Sequence, residues 1–244
     1  MVLASLGGSS ESASPSGSSL KISRIRWQQQ YRIIPSKFPP INFFEGLVDP
    51  KLMDAAFAIE AISNDRLRAE AGDIGLVKEE DRVSGPGSSV VMAAFTHIGR
   101  PTRFSDGSYG VYYAARALQT AVRETVFHRE RFLRYTREPE GDLDMRVYIG
   151  RVEKPLVDIR QPKYQHLHEP DLARYPVPQA FAAELRAAGH WGIVYNSVRH
   201  AGGESIAALR PPAVSIPVQG PQLLYRWDGE QICAVFQRDE KLFG

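Results

Sequence analysis

Leu52, Ala55, Ala56, Ile59 and Ile62 recur at the three-to-four-residue spacing of one helix face. Asp49 followed by Pro50 supplies a capping side chain and a first-turn proline. The pattern predicts a helix from Asp49 to Ala71, closed by Gly72. A second helix is predicted from about Ala117 to Leu133, with Leu118, Ala121, Val122, Thr125 and Phe132 on its core stripe. A third runs from about Gln179 to Ala188 and stops at Gly189. Strand patterns are shorter. Met145, Val147 and Ile149 alternate, and Leu156–Ile159 is a buried run. Trp27, Tyr31, Ile33 and Ile34 mark an extended segment, after which Pro35, Pro39 and Pro40 forbid regular helix. Val90–Phe95 reads as a buried strand, and Gly110–Ala114 as another behind the turn-rich Ser105–Ser108. Later come Trp191–Tyr195, Ile206–Leu209, Val214–Val218, Leu223–Trp227 and Ile232–Phe236.

Helices gather early and strands late, so strict β-α-β alternation fails. The fold class expected is α+β, one mixed domain rather than a doubly wound sheet. Residues 1–20 hold eight serines, three glycines and Glu11 as their one charge. Such a segment buries too little apolar surface to offset its ordering entropy, so it is expected to be disordered. Residues 21–244 are assigned to the folded domain, with 36–95 as an inserted helix-rich segment.

Composition narrows the function classes. Of 244 residues 43% are hydrophobic and 24% charged, enough apolar matter for a packed core. The net charge of +2 lacks the basic excess of a nucleic-acid or membrane surface. A single cysteine, Cys233, excludes an intrachain disulfide and a cysteine-cluster zinc site. The longest apolar run, Val90–Phe95, falls far short of the roughly 20 residues that span a bilayer. No basic start leads into a long apolar stretch, so the expected location is the cytoplasm. His166 and His168 would share a face on a strand and bind a metal there; on a polar loop before Pro170 they would not. No phosphate-loop, dinucleotide-loop, zinc-protease or nucleophile-elbow motif occurs.

The chemically richest stretch runs from Gly99 to Ala115, followed by Thr120–His128. Arg100 and Arg103 precede a Gly/Ser/Asp turn, then come Tyr112 and Tyr113, then a helix bearing Glu124. At 100° per residue Glu124 stands roughly 130° from the centre of the core stripe. It is then either a solvated residue pairing with His128 one turn on, or the acid of a cleft bordering that face. Tyr112 and Tyr113 point to opposite faces of a strand, so one packs in the core and one faces the site.

This stretch resembles the RES domain, the toxin half of bacterial Xre–RES toxin–antitoxin pairs, named for an arginine, a glutamate and a serine. Tyr31-Arg32-Ile33 is similar to its opening Y-R-[IV] element. Arg103-Phe104-Ser105 with Gly110–Ala115 resembles its "G-R-F … Y-[LA]-A" block, and Thr120–Glu124 its "T-A-x-x-E" helix. Gly192–Ser197, continuing to Arg199, resembles its "G-I-x-Y-x-S-x-R" strand. The named triad would be Arg32, Glu124 and Ser197. About seventy residues separate Arg32 from Arg103, which resembles a longer subgroup of the family.

The resemblance implies a fold like that of ADP-ribosyltransferase toxins, with NAD as co-substrate and no metal. The nicotinamide–ribose bond would be broken, and the ADP-ribose passed to a protein or to phosphate or water, the last two depleting NAD. A helix-turn-helix, Xre-like antitoxin would block the site. The residue types suit this chemistry. An arginine offers a planar fork to a pyrophosphate, which makes Arg32 and Arg103 candidates, with Arg100 a third. A fixed carboxylate, Glu124, stabilises an oxocarbenium-like ribose. Tyr113 is expected on nicotinamide or ribose, and Ser197 on a ribose or phosphate oxygen. A protein acceptor is favoured because residues 36–95 would shape an acceptor surface. The competing expectations are an RNA-directed toxin, suggested by the arginine-rich segment 116–137, and an inactive binding module.

Overall fold

A computed structural model of the chain describes residues 20–36 and 72–238. The predicted helix Asp49–Ala71 and residues 1–19 of the serine-rich tail lie outside them. Nine strands form one sheet: β1 (Ile22–Ser23), β2 (Gln30–Pro35), β3 (Tyr112–Ala115), β4 (Gly141–Gly150), β5 (Leu156–Asp158), β6 (Gly192–Asn196), β7 (Glu204–Ala208), β8 (Val218–Trp227) and β9 (Ile232–Arg238). Among the described residues three α-helices accompany them: α1 (Ser88–Thr96), α2 (Leu118–Thr136) and α3 (Pro176–Ala187). The strand order is β1-β5-β6-β7-β3-β2-β4-β8-β9. Every neighbouring pair is antiparallel except β5 and β6, whose parallel pairing needs the crossover that contains α3. This is an α+β architecture. Among the described residues no helix is long and apolar enough to cross a membrane.

Strand alternation divides the core between the two faces of the sheet. Tyr112, Ala114, Val194, Ile206 and Ala208 pack on one face with Val91, Met92 and Phe95 of α1. Ala115, Ala121, Ile33, Met145 and Val147 pack on the other, under α2. Beside them Ile193, Tyr195 and Ala207 pack against Ala182 and Leu185 of α3. Tyr112 is therefore the core tyrosine and Tyr113 the one on the α2–α3 face.

Two expectations fail here. Val90–Phe95 is not a strand but the body of α1. It is buried on almost every side, with Val90, Val91, Met92 and Phe95 all inside. A helix without a polar face leaves no period to read, and a short apolar run of this kind fits either state. Val214–Val218 is not a strand either. Pro211–Ala213 form a 3-10 turn, Val214 makes an isolated bridge to Val152, and β8 starts only at Val218, behind Pro217. Helix α3 begins three residues before its expected start because Pro176 occupies the first turn, where its missing N–H costs nothing.

The join of α1 to β3 depends on Gly110. A Cβ there would come within 2.2 Å of the Ala94 carbonyl oxygen and 2.4 Å of Phe95 Cα. Only glycine lets the turn ahead of β3 lie directly against the α1 backbone.

β2 is what opens the site. It pairs along its full length with β4, from Gln30↔Gly150 to Pro35↔Met145, but meets β3 at a single registered position, Tyr31↔Ala115. The sheet is splayed there, and a cleft of about 1000 Å³ opens between β2, β3, α2 and the 100–103 loop.

Candidate active site

Glu124 comes from the second turn of α2 and lines this cleft. It does not pair with His128. Its Oε1 accepts a 2.6 Å hydrogen bond from Ser197 Oγ, just past the end of β6. The same hydroxyl oxygen accepts from the backbone N–H groups of Arg199 (3.2 Å) and His200 (3.1 Å), and Ser197 N–H donates to the Gly203 carbonyl (2.8 Å). Ser197 is thus fixed by its own tight loop and uses its one proton on Glu124. Burial raises the Glu124 carboxyl above its ordinary range, while the Ser197 hydrogen bond, Arg103 and Arg199 oppose that rise. A largely buried carboxylate with one short donor is, when ionised, a strong local negative charge on the cleft wall.

Arg32 sits in the splay between β2 and β3. Its Nη1 donates to the Tyr113 carbonyl (3.1 Å), and its guanidinium lies 4.5 Å from the Tyr112 ring centroid. Its Nε is buried with no hydrogen-bond partner among the described residues. Burial lowers its pKa. Arg103 is 6% exposed. It donates to the carbonyls of Leu167 (3.2 Å) and Glu169 (2.9 Å), approaches the Tyr175 hydroxyl at 3.5 Å and stacks 4.7 Å from the Tyr175 ring centroid. Both arginines line the cleft; the Arg103 fork is taken up by these acceptors, whereas Arg32 keeps a buried Nε with no acceptor among the described residues. Arg103 ties the 167–169 segment to the cleft wall.

Tyr113 also lines the cleft, with its hydroxyl already engaged. That oxygen lies 2.8 Å from Thr102 Oγ1 and accepts from the Phe104 N–H at 3.0 Å. Burial pushes its pKa far above the ordinary phenol range. Its ring, not its hydroxyl, is what the cleft sees. The structure therefore brings Arg32, Arg103, Tyr113 and Glu124 to one cavity. Ser197 does not line it; it stands behind Glu124, beside a second hollow of about 250 Å³ bordered by Gln165, His168 and Asn196.

His166 and His168 lie at and just after a 3-10 turn, Pro162–Leu167, rather than on a strand. His168 is buried, with Nδ1 2.9 Å from the Tyr164 carbonyl and Nε2 accepting from the Asn196 N–H at 3.2 Å. Both ring nitrogens serve to join that turn to β6. Among the described residues no group of three His, Cys, Asp or Glu is placed to hold a metal ion.

Sequence reasoning missed Tyr175, Tyr195, His128 and Arg129, all of which line the cleft. Tyr195 packs edge-on against Phe104, with centroids 5.0 Å apart, and Glu124 adds to the burial that raises its pKa. Burial, then the charges of Arg199, Arg129, Arg131 and Arg103, depress the His128 imidazole below its ordinary range, so it is neutral at physiological pH. The signal for His128 was available: positions 121, 124, 125, 128, 132 and 135 form one helical stripe through Glu124, and that stripe faces the cleft. Tyr195 lies two residues before Ser197 on β6, within the quoted strand motif.

The arrangement can hold an elongated, anionic ligand along α2 and stabilise positive charge that develops beside Glu124. An uncharacterized protein of Sinorhizobium fredii, y4oC, is 29% identical over 216 residues, covering 86% of this chain and 87% of its own length. Among solved structures, the toxin–antitoxin complex MbcT–MbcA of M. tuberculosis contains a chain aligned at TM-score 0.37 and 14% identity, over 52% of this chain and 72% of that one. The RES domain family model matches residues 79–228. That span takes in Arg103, Tyr113, Glu124 and Ser197, every strand from β3 to β8 and all three helices, and begins after Arg32. A match over more than half of the chain, centred on the cleft, places this protein in the RES domain family.

Proposed function

We propose that this protein is the toxin of a toxin–antitoxin pair and acts by breaking the nicotinamide–ribose bond of NAD, passing the ADP-ribose to an acceptor protein. The observation that carries the reading is the Glu124 carboxylate, raised in pKa by burial and held at 2.6 Å by Ser197 on the wall of a cleft large enough for a dinucleotide. When the C1′–N bond breaks, its electron pair leaves on nicotinamide, and the ribose becomes an oxocarbenium ion. Glu124 stabilises that cation, and Tyr113, Tyr175 and Tyr195 supply flat apolar walls for the departing ring. The acceptor then adds its nucleophile to C1′ and loses a proton. The leaving group is already cationic, so the chemistry asks for no metal. An antitoxin of the helix-turn-helix type would silence the protein by covering the cleft.

The test is incubation of the pure protein with NAD labelled in the adenosine half, with and without phosphate and cell extract. Nicotinamide release that disappears in Glu124→Gln, with label transferred to a protein band, is the expected result. Label confined to ADP-ribose or its phosphate ester would refute the protein acceptor. NAD left intact under all conditions would refute the NAD reading altogether.

A further inference from the structure

Ser197 opens the tight turn that joins β6 to β7, and that turn lies against α2. Two side chains hold it there, one on each side of Glu124. His200 Nδ1 is 2.9 Å from the buried Thr120 Oγ1, one helical turn before Glu124. Arg199 stacks its guanidinium on the Phe127 ring, 3.5 Å from the centroid, almost one turn beyond Glu124. Its Nη2 also donates at 2.7 Å to the Pro170 carbonyl, next to the segment that Arg103 grips. Along the helix axis the two contacts lie about 6 Å before and about 4.5 Å after Glu124. The approach is close because residue 203 is glycine: a Cβ there would stand 2.7 Å from Thr120 Cγ2 and 2.8 Å from its Oγ1. Within the turn, the backbone N–H groups of the same Arg199 and His200 donate to Ser197 Oγ. With both lone pairs of that oxygen taken, its one proton is left for Glu124, 2.6 Å away.

We infer that Thr120, His200, Phe127 and Arg199 are positioning residues: they clamp the β6–β7 turn across α2 and thereby set the Ser197–Glu124 hydrogen bond. None of the four lines the cleft, and they act on Glu124 through Ser197, with the charge of Arg199 as an added direct influence. A bond between a helix side chain and a turn 73 residues away is only as good as the docking of the two elements. A shift of about 1 Å would turn this short contact into one too long to count as a hydrogen bond. Arg103 from the 100–103 loop, Tyr195 from β6, and His128 and Arg129 from α2 itself also surround Glu124 in the cleft, and none of them belongs to the clamp. The consequence for catalysis rests on the NAD reading above; the hydrogen bond and its support do not.

The experiment follows the Glu124 carboxyl by NMR through a pH titration of the full chain, isotopically labelled at its glutamate carboxyl carbons. The Glu124 signal is the one lost in Glu124→Gln. Thr120→Val removes the hydroxyl at nearly constant shape and with no change of charge. It should raise the Glu124 pKa, by less than Ser197→Ala does, and Thr120→Ser should restore it. Gly203→Ala, which pushes the turn off the helix, should act in the same direction. His200→Ala removes the same contact from the more exposed side and serves if Thr120→Val does not fold. For nicotinamide release near pH 7, kcat should fall roughly 10-fold in Thr120→Val while KM for NAD stays within about twofold. In a Ser197→Ala background Thr120→Val should move neither the titration nor kcat further, because no bond is left to position. A variant that melts lower but titrates like wild type would make the contact merely structural and overturn the clamp, as would a shift that persists undiminished without Ser197. The expected titration shifts in a protein that leaves NAD intact would uphold the clamp while the NAD reading falls.

Discussion

Removing the Ser197 hydroxyl should change how Glu124 titrates more than how substrate binds. Ser197 Oγ contributes the single hydrogen bond found on the Glu124 carboxylate, at 2.6 Å, among the described residues. A hydrogen bond to a charged group is worth about 1.5–3 kcal/mol. Ser197→Ala removes it from the ionised form only, and 1.36 kcal/mol corresponds to one pKa unit, so the Glu124 pKa should climb by about 1–2 units. Burial already holds that pKa above the ordinary range. On the proposed NAD reaction the active form is the carboxylate, so the acid limb of the rate profile should move to higher pH by the same amount. The variant also strips the acceptor from the Arg199 and His200 amides, which should lower the melting midpoint by roughly 2–4 °C. Nicotinamide release measured from about pH 5 to about pH 9 for wild type, Ser197→Ala and Ser197→Thr gives the profile. The threonine variant keeps the donor and should keep the limb. A uniform loss of rate with the limb unmoved would mean that the hydroxyl touches substrate directly, and an unchanged enzyme would mean that it does nothing.

Glu124→Gln should abolish nicotinamide release yet stabilise the protein at neutral pH. A carboxyl whose folded pKa lies above its unfolded value loses stability as pH rises through that range, so the amide should raise the melting midpoint near pH 7 and leave it unchanged below about pH 4, read by melts at both pH values. Asp158 has the opposite sign: the Arg160 fork, at 2.7 and 2.9 Å, holds its pKa down at about 2 from an ordinary 3.8. It therefore contributes about 2 kcal/mol above pH 4 that vanishes as pH falls toward 2, and Asp158→Asn should flatten that part of the acid-unfolding curve. Gly110→Ala drives a methyl into the α1 backbone and should cost about 3 kcal/mol, lowering the melting midpoint by roughly 10 °C. A midpoint within a degree of wild type would show that α1 and the β3 turn are not held together as described.

The parts of the fold legible in the sequence are those with a period of their own. Met145 and Val147 are buried on the α2 face as their alternation requires. The expected core stripe of α2 is met only in its first turns, where Leu118, Ala121 and Val122 pack on the sheet; Thr125 and Phe132 instead line the cleft with Glu124. Helix α1 escaped because it lies buried on nearly all sides, and a pattern without contrast carries no period. The site divides along a similar line. That Tyr112 and Tyr113 take opposite faces follows from the strand itself. That Ser197 meets Glu124, 73 residues away, depends on β6 and α2 converging from different layers, and no local spacing encodes it.

The arginines show how far residue type misleads when partners are out of sight. Arg103 stands in the most distinctive motif of the chain, yet its donors end on Leu167 and Glu169 carbonyls, 64 and 66 residues on. Leu167 is buried at the end of the 3-10 turn Pro162–Leu167, and a buried carbonyl left unpaired costs about 1–3 kcal/mol, which gives the guanidinium an acceptor to meet there. Arg129 stands in a run of charges that reads as a solvated helix face. Its neighbour Glu130 turns to Arg134 and to β9, and Arg129, which lines the cleft, has no ion pair among the described residues. A cation's role is decided by which acceptors the fold has already consumed around it. On that criterion Arg103 is committed to the 167–169 segment, while Arg32, whose buried Nε has no acceptor among the described residues, still has a donor to give.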